Sequence, residues 1–179
     1  ARSGTPETLG FYILHEGPLG VFNDTLREYD YDDLQETRKV EVQSTGGWIG
    51  ITDKYWLAAL VPDQNIGSTY RFVHSLKNKD DRYQVDYLGE ETRIAAGQQI
   101  VTVNRLFAGA KEVKLLDTYS EEYGIKNFDL AVDFGWFYFL TKPFFYAISW
   151  LNTYLGNFGL AIIAFTVFVK IVFFPLANK

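Results

Sequence analysis

The alternation of apolar and polar residues predicts strands in the first two thirds of the chain. Apolar and polar positions alternate over four short runs, at residues 39–43, 70–76, 82–88 and 99–104. Stretches rich in Gly, Pro, Asn and Asp separate these runs and predict turns. Several short strands with one buried face each are typical of an antiparallel β-sandwich. Apolar positions spaced among charges at residues 111–123 predict a short helix that follows the sandwich.

The end of the chain contains a long apolar run that predicts a membrane-spanning helix. In the nineteen residues 158–176, Lys170 is the only charged residue and Thr166 is the only other polar one. At about 1.5 Å per residue the run spans roughly 28 Å as a helix, close to the ~30 Å of a bilayer's hydrocarbon layer. The alternative is a helix buried in a globular core, but a chain of 179 residues offers little protein to surround it.

The stretch at residues 129–155 is apolar on one face only. From Pro143 onward, apolar residues recur at i, i+4, i+7 and i+11, and Ser, Asn and Thr residues gather on another face. This spacing predicts an amphipathic helix, with Thr141 as its N-terminal cap. Such a helix suits the headgroup layer, where it lies along the membrane.

Aromatic residues interleaved in this stretch are the predicted interfacial anchors: Trp136, Tyr138, Trp150 and Tyr154. The alternative is a second spanning helix that pairs with the first. The connection at Gly156 and Asn157 is very short for two helices that would have to reverse direction, and it argues against that pairing.

Charge divides the chain at the same place as hydropathy. Residues 1–127 hold 14 Lys and Arg against 20 Asp and Glu, whereas residues 128–179 hold three Lys against two Asp and 16 of the 31 aromatic residues. The net charges are therefore −6 and +1. We expect three segments: a sandwich with its linking helix at 1–127, an interfacial helix at 128–155 and a membrane helix at 156–179. The acidic balance leaves no basic surface for nucleic acid.

Candidate catalytic residues are few. The chain has no Cys, which excludes disulfides, thiolate zinc sites and cysteine nucleophiles. His15 and His74 have no evident partner in the sequence, and a sugar-modifying enzyme would need one of them beside a carboxylate in a cleft. Asp30, Asp32 and Asp33 lack the Gly and the distal Glu of a calcium loop, so they predict a solvated acidic loop. The sequence predicts no enzyme, no metal and no cofactor.

Lys170 is the residue whose position most needs an explanation. Its Cα would lie about 18 Å into a ~30 Å hydrocarbon layer, and an exposed cation there costs ~3 kcal/mol. The charge therefore needs water, a carboxylate or a thinned bilayer; the alternative is a side chain that reaches the cytosolic headgroups with the help of helix tilt. Pro175 predicts a kink or stop just beyond Lys170. The positive-inside tendency predicts a cytoplasmic C-terminus and a sandwich outside the cytoplasm.

Residues 127–179 closely resemble the junction between periplasmic domain and membrane core in the YidC insertases of the Oxa superfamily. The matching pieces are DFGW at 133–136, LGNFG at 155–159, and a span that ends in a cation followed by FPL at 174–176. The motif GGW at 46–48 and the strands at 55–62 also resemble that periplasmic domain. The resemblance covers most of the chain.

The resemblance implies a bacterial inner-membrane protein that inserts other membrane proteins and helps them fold. It implies a periplasmic sandwich of the galactose-mutarotase type, an interfacial helix, and the first of five core helices around a hydrophilic groove. Lys170 would be the client-contacting charge of that groove, at a position where many members have Arg.

The same resemblance implies the partners: nascent membrane proteins, the lipid bilayer, and further the Sec translocon and the ribosome, the last through segments outside this chain. It implies that the natural protein extends beyond both ends of the chain. The alternative function is a periplasmic binding or scaffolding domain held by a C-terminal membrane tail.

Overall fold

The structure of the chain is a computed structural model that describes residues 1–6, 14–135 and 137–177. The chain divides into two compact units, Ala1–Asp133 and Phe134–Lys179. All strands in the described ranges belong to the first unit, and the two longest helices belong to the second. The first unit extends to Asp133, beyond the change of composition at residue 127.

The first unit is built from two antiparallel sheets. Its described strands are β1 Arg2–Ser3, β2 Gly17–Phe22, β3 Thr25–Glu28, β4 Lys39–Thr45, β5 Trp48–Thr52, β6 Trp56–Val61, β7 Gly67–Lys77, β8 Asp80–Gly89 and β9 Arg105–Ala110. One sheet has the order β1-β8-β7-β4 and the other has the order β3-β2-β5-β6-β9. The helices are α1 Tyr31–Thr37, α2 Val113–Tyr123, a 3-10 helix Phe128–Ala131, α3 Tyr138–Leu155 and α4 Phe158–Ala177.

Aromatic side chains fill the space between the two sheets. The ring of Phe22 on β2 lies 4.8 Å from the ring of Tyr70 and 5.8 Å from that of Phe72, both on β7. Helix α1 adds the buried side chains of Tyr31 and Leu34 to the same cluster. The contacts join the sheets face to face, which is the packing that a sandwich requires.

A second core lies on the outer face of the five-stranded sheet. Trp48 and Leu57 point to this face, and Leu116 of α2 and Phe128 of the 3-10 helix cover them. Because neighbouring residues of a strand point to opposite faces, Trp48 belongs to this core while Ile49 belongs to the core between the sheets. Strand β5 is therefore buried on both faces.

The predicted antiparallel sandwich is confirmed, and most of its predicted elements are present. The runs at 39–43, 70–76 and 82–88 lie within β4, β7 and β8, and the predicted helix at 111–123 is α2. The strand predicted at 99–104 is wrong, since these residues are exposed and have no regular structure. Alternation of apolar and polar residues does not by itself provide a neighbouring strand for residues 99–104. The segment that follows them in the chain is β9, and it pairs with β6.

The acidic side chains of Asp30, Asp32 and Asp33 are exposed as predicted, but the segment is not a loop, because α1 begins at Tyr31. Asp32 and Asp33 lie in its first turn, where the helix dipole favours carboxylates. The buried pair Tyr31 and Leu34, at i and i+3, fixes this short helix against the sandwich.

Helix α3 begins at Tyr138, earlier than its predicted cap. Thr141 lies inside the first turn and its Oγ1 donates a hydrogen bond to the carbonyl of Phe137 at 3.0 Å. The prediction of Thr141 as the N-terminal cap is therefore wrong. Pro143 remains close enough to the helix start for its missing N–H to be tolerated.

Candidate functional site

Helix α4 presents a long apolar surface that the protein leaves open. Among the described helices it alone is long and apolar enough to cross a membrane, over the window Phe158–Pro175. Only 6% of that window is buried. The core helix of a soluble protein would be covered by other elements, so this exposure indicates a helix that lipid surrounds.

A two-residue connection separates α3 from α4. Gly156 adopts the left-handed conformation with φ 62°, and its N–H donates to the carbonyl of Asn152 at 2.9 Å, which ends α3. The side-chain Oδ1 of Asn157 then accepts the N–H of Leu160 at 3.2 Å and so caps the start of α4. Gly and Asn are the residues that such a reversal requires.

The two helices fold back on each other at an acute angle. The rings of Phe144 and Phe165 are 5.0 Å apart. These residues lie about 18 Å and about 12 Å along their helices from the connection, so perpendicular helices could not bring the rings together. Ser149 and Ala161, both small and buried, let the helices approach. The short connection therefore permits a reversal that the sequence argued against.

Lys170 lies on the side of α4 that faces away from α3. At about 100° per residue it is roughly half a turn around the helix from the buried Ala161. Thr166 precedes it by one helical turn on the same side, and its hydroxyl donates to the carbonyl of Ile162 at 2.8 Å. None of the ion pairs among the described residues involves Lys170. The two polar residues thus form one stripe on an apolar helix.

Pro175 does not end the helix within the described residues. Helix α4 continues through Pro175 to Ala177. Pro175 lies close to the end of the helix. The backbone hydrogen bond that proline removes therefore affects few further turns, and the helix continues beyond it.

The predicted anchors on α3 differ in exposure. Trp150 and Tyr154 are 59% and 73% exposed, and their rings meet 4.9 Å apart. Tyr138 is half-buried, accepts a hydrogen bond from the Nζ of Lys142 at 3.1 Å and lies under the same ammonium. Trp136 falls outside the described residues. The two exposed rings give α3 an aromatic surface near its junction with α4.

Each histidine has a carboxylate partner that sequence reasoning missed. His74 on β7 bonds Asp81 on β8 at 2.8 Å, and Thr5 donates to the other oxygen of Asp81. These hydrogen bonds lower the pKa of Asp81 below its ordinary value, the bond from His74 most strongly. His15 lies 3.6 Å from Asp30. The His74–Asp81 pair joins the neighbouring strands β7 and β8, whereas His15 and Asp30 lie just outside strands β2 and β3.

A polar cavity of about 290 Å³ lies beside the start of β7, away from both histidines. Hydroxyl, amide and carboxylate side chains line it, among them Asn23, Gln43, Ser68 and Glu90. Several are already engaged, since the amide of Asn23 bonds the carbonyl of Gln43. The cavity therefore lacks the histidine–carboxylate pair that a sugar-modifying site would need.

A charged cluster at the start of α2 was also not predicted. Burial lowers the pKa of Lys111, while the neighbouring carboxylates act in the opposite direction. Burial likewise raises the pKa of Glu28. The carboxylates come from distant parts of the chain: Asp133, Asp53, Glu16 and Glu28. No local sequence pattern predicts such a cluster, because its members are far apart in the sequence.

A two-sheet sandwich that leads into an exposed apolar helix defines a membrane-anchored β-sandwich protein. The family model of the YidC periplasmic domain matches residues 1–147, and the chain belongs to this family. This match confirms the resemblance drawn from the sequence. With helix α4, it indicates a protein of the inner membrane.

Three curated relatives show how far the similarity extends. Each of them is named membrane protein insertase YidC. The proteins of Rickettsia canadensis (strain McKiel) and Rickettsia africae (strain ESF-5) are 48% identical to this chain. The protein of Rickettsia bellii (strain OSU 85-389) is 46% identical to it. Each similarity runs over 168 residues, which are 93% of this chain. The chain spans only 30% of the length of each relative.

Proposed function

We propose that this chain is the part of a membrane protein insertase that joins the periplasmic sandwich to the first helix of the insertion core. The observation that carries the proposal is α4, an exposed apolar helix with Lys170 as its one cation, directly after a YidC periplasmic domain. The relatives that match the chain are named for insertion, and the anchored sandwich fits the corresponding part of such a protein.

The geometry of the helical unit supports a charge in the membrane interior. With α3 in the headgroup layer, the acute angle at the connection requires α4 to cross the bilayer with a tilt. Tilts of up to about 40° are found in membrane helices. Such a tilt shortens the depth of Lys170 below the outer surface from about 18 Å to about 14 Å. Tilt therefore moves the Cα of Lys170 toward the middle of the layer, away from the cytosolic headgroups.

In this function Lys170 keeps a hydrated pocket inside the membrane and attracts the acidic segment of an incoming client. The stripe of Thr166 and Lys170 faces away from α3, so it is available to further helices and to clients. The pocket shortens the apolar distance that polar client groups must cross. It therefore lowers the free-energy barrier to insertion, which is high because hydrocarbon cannot form hydrogen bonds with such groups. Lysine acts here as a point charge, without the planar fork of arginine.

The remaining segments have supporting roles. Helix α3 lies in the headgroup layer with Tyr138, Trp150 and Tyr154 as anchors, the sandwich faces the periplasm and the C-terminus faces the cytoplasm. Nascent membrane proteins and the lipid bilayer are the proposed partners. Contacts to the Sec translocon or the ribosome are proposed only for the longer protein.

An insertion assay in the full-length protein tests the role of Lys170. We compare Lys170→Ala and Lys170→Glu with Lys170→Arg, and use Lys77→Ala, at an exposed lysine of β7, as the control outside the span. The client is a single-span protein with an acidic tail, studied beside a version with a neutral tail. We expect Ala and Glu to slow insertion of the acidic client selectively, with Glu the slower, and Arg to retain it. Normal rates in both the Ala and Glu variants would overturn the charge role.

A further inference from the structure

Two large aromatic side chains are exposed at the turn between β5 and β6. Tyr55 and Trp56 are 64% and 62% exposed, whereas Trp48 at the start of β5 is fully buried. The ammonium of Lys54 lies 5.2 Å from the centre of the Tyr55 ring. Exposed Tyr and Trp beside a cation are the combination enriched where a protein meets lipid headgroups. We call residues 53–56 the aromatic turn.

The aromatic turn lies at the end of the sandwich from which the chain leaves the first unit. The N–H of Lys111 donates to the carbonyl of Tyr55 at 2.9 Å, which places Lys111 beside the turn. The Lys111 side chain is within the electrostatic reach of Asp133 and of Asp53. Asp133 is the last residue of the first unit. The turn and the exit of the chain are therefore neighbours.

The connection to the membrane helices is short. Only residues 134–137 separate Asp133 from Tyr138, the first residue of α3. A chain extends by at most ~3.6 Å per residue, so this connection can span no more than about 18 Å. The inference therefore rests on the proposed function, in which α3 lies in the headgroup layer. The sandwich end that carries the turn is tethered within reach of that layer.

We propose that the aromatic turn is a second membrane contact, in which Tyr55 and Trp56 enter the headgroup layer of the membrane that α4 crosses. The partner is a zwitterionic phospholipid surface. Lys54 supplies a cation for its phosphates, and Asp53, whose Oδ1 accepts the backbone N–H of Lys54 at 2.7 Å, supplies a carboxylate for its ammonium groups. The acidic side chains of Glu16 and Glu28 at the same end of the sandwich oppose a strongly anionic surface.

This contact would fix the sandwich to the membrane at two points, the exit of the chain and the aromatic turn. A single tether of a few residues leaves a domain free to rotate above the bilayer, whereas two contacts define which side faces the lipid. The second contact needs no folding change, since both aromatic rings are already exposed.

Single-cysteine labelling tests the contact directly, because the chain has no native Cys. We place an environment-sensitive fluorophore at Lys54→Cys, at Asn65→Cys and at Thr153→Cys, each in the 179-residue chain in phosphatidylcholine nanodiscs. Position 65 follows β6 at its other end and is exposed, so it is the matched control. Position 153 reports on α3. A headgroup nitroxide lipid is the quencher.

We expect the headgroup quencher to reduce fluorescence at positions 54 and 153 and to leave position 65 unchanged. Quenching at 153 without quenching at 54 overturns the second contact and leaves the proposed function intact. Absence of quenching at both positions overturns the second contact and, with it, the proposed place of α3 in the headgroup layer. A label at 54 that is shielded from a water-soluble quencher but not reached by the lipid quencher also overturns the proposal, since protein then covers the turn.

Substitutions identify the side chains responsible. Adding Tyr55→Ser and Trp56→Ser to the Lys54→Cys chain should abolish its quenching by lipid. Leu76→Ser, at a leucine that is 67% exposed on β7, should leave it unchanged. Circular dichroism verifies that the variants are folded. Retained quenching in the folded Ser variant overturns the role of the two rings.

Discussion

The indole of Trp48 meets the ring of Phe128 edge to face, with centroids 5.4 Å apart and the ring planes at 82°. Both side chains are fully buried. Trp48 belongs to the central strand of the five-stranded sheet, whereas Phe128 belongs to the 3-10 helix shortly before the chain leaves the first unit. The segment that leads to α3 and α4 is therefore part of the sandwich core.

Phe128→Ala should lower the free energy of unfolding of the first unit by about 3–5 kcal/mol, because it removes a buried ring and leaves a cavity. The loss of free energy is measured by denaturant unfolding that is monitored through hydrogen exchange of the sandwich amides. Leu106→Ala is the control, since Leu106 is 70% exposed. It should change the free energy by less than about 0.5 kcal/mol. A similarly small effect of Phe128→Ala would contradict its place in the core.

The three strands that the alternation predicted correctly, β4, β7 and β8, each have one exposed face. In β4, β7 and β8, polar residues on the outer face alternate with Val, Tyr and Phe on the inner face. Strands β2 and β5 were missed because core packs against both of their faces, so their apolar runs have no period. One face of these two strands is covered by α2 and the 3-10 helix, which come later in the chain. The two strands could therefore be predicted only with knowledge of this second core.

Gly47→Ala should destabilise the first unit. Gly47 has a φ of 93°, and an added Cβ would overlap the carbonyl oxygen of Val21. The backbone strain alone costs about 1–3 kcal/mol, and the overlap with a rigid backbone atom adds to it. Thermal unfolding measures the loss. Gly89→Ala is the control, because Gly89 has open space around its Cα. Equal stability of the two variants would contradict the assigned strain.

Only those features of the candidate site that depend on neighbouring residues in the sequence could be predicted. Lys170 and Thr166 stand out in the sequence because a long apolar run surrounds them. Their position opposite α3 depends on the contact of Phe144 with Phe165, which no periodicity in either helix reveals. Lys111 and its carboxylates could not be predicted at all, since folding brings them together from distant segments.

The first unit should lose stability in acid partly through Asp81. The pKa of Asp81 is lowered from its ordinary value of 3.8, first by the hydrogen bond from His74 and also by that from Thr5. Its ionised form therefore stabilises the fold above the unfolded-state pKa, and this contribution is lost as the pH falls through the lower folded-state pKa. We expect the unfolding midpoint to fall below a pH of about 4.

Asp81→Asn should flatten this acid dependence, because the amide cannot ionise. Unfolding midpoints measured from a pH of about 2 to about 6 give the comparison. Asp80→Asn, at the exposed neighbouring residue, is the control and should retain the slope of the unsubstituted chain. An unchanged slope in Asp81→Asn would show that the His74–Asp81 contact does not act on stability.

Ala161→Leu should separate α3 from α4. Ala161 is fully buried, and a larger side chain at a tight helix contact costs about 1–3 kcal/mol. The rings of Phe144 and Phe165 lie on the same contact, so Cys residues at these two positions should be joined by a short bismaleimide. We expect Ala161→Leu to reduce that yield, and Val167→Leu, at a half-exposed position, to leave it unchanged. Equal yields would mean that the helices do not depend on Ala161 for their approach.

Trp150 and Trp136 should anchor α3 to the bilayer surface. Trp150 is 59% exposed beside Tyr154, so its indole is free to insert among lipid headgroups. Replacing both Trp residues with Ser in a peptide of residues 134–156 should weaken liposome partitioning by about 1–2 kcal/mol, which is roughly 5- to 30-fold. Thr153→Ser, a small change on the polar face, is the control and should leave partitioning unchanged. If the double Ser peptide partitions as strongly as the control, the apolar face of α3 holds it to the membrane without these rings.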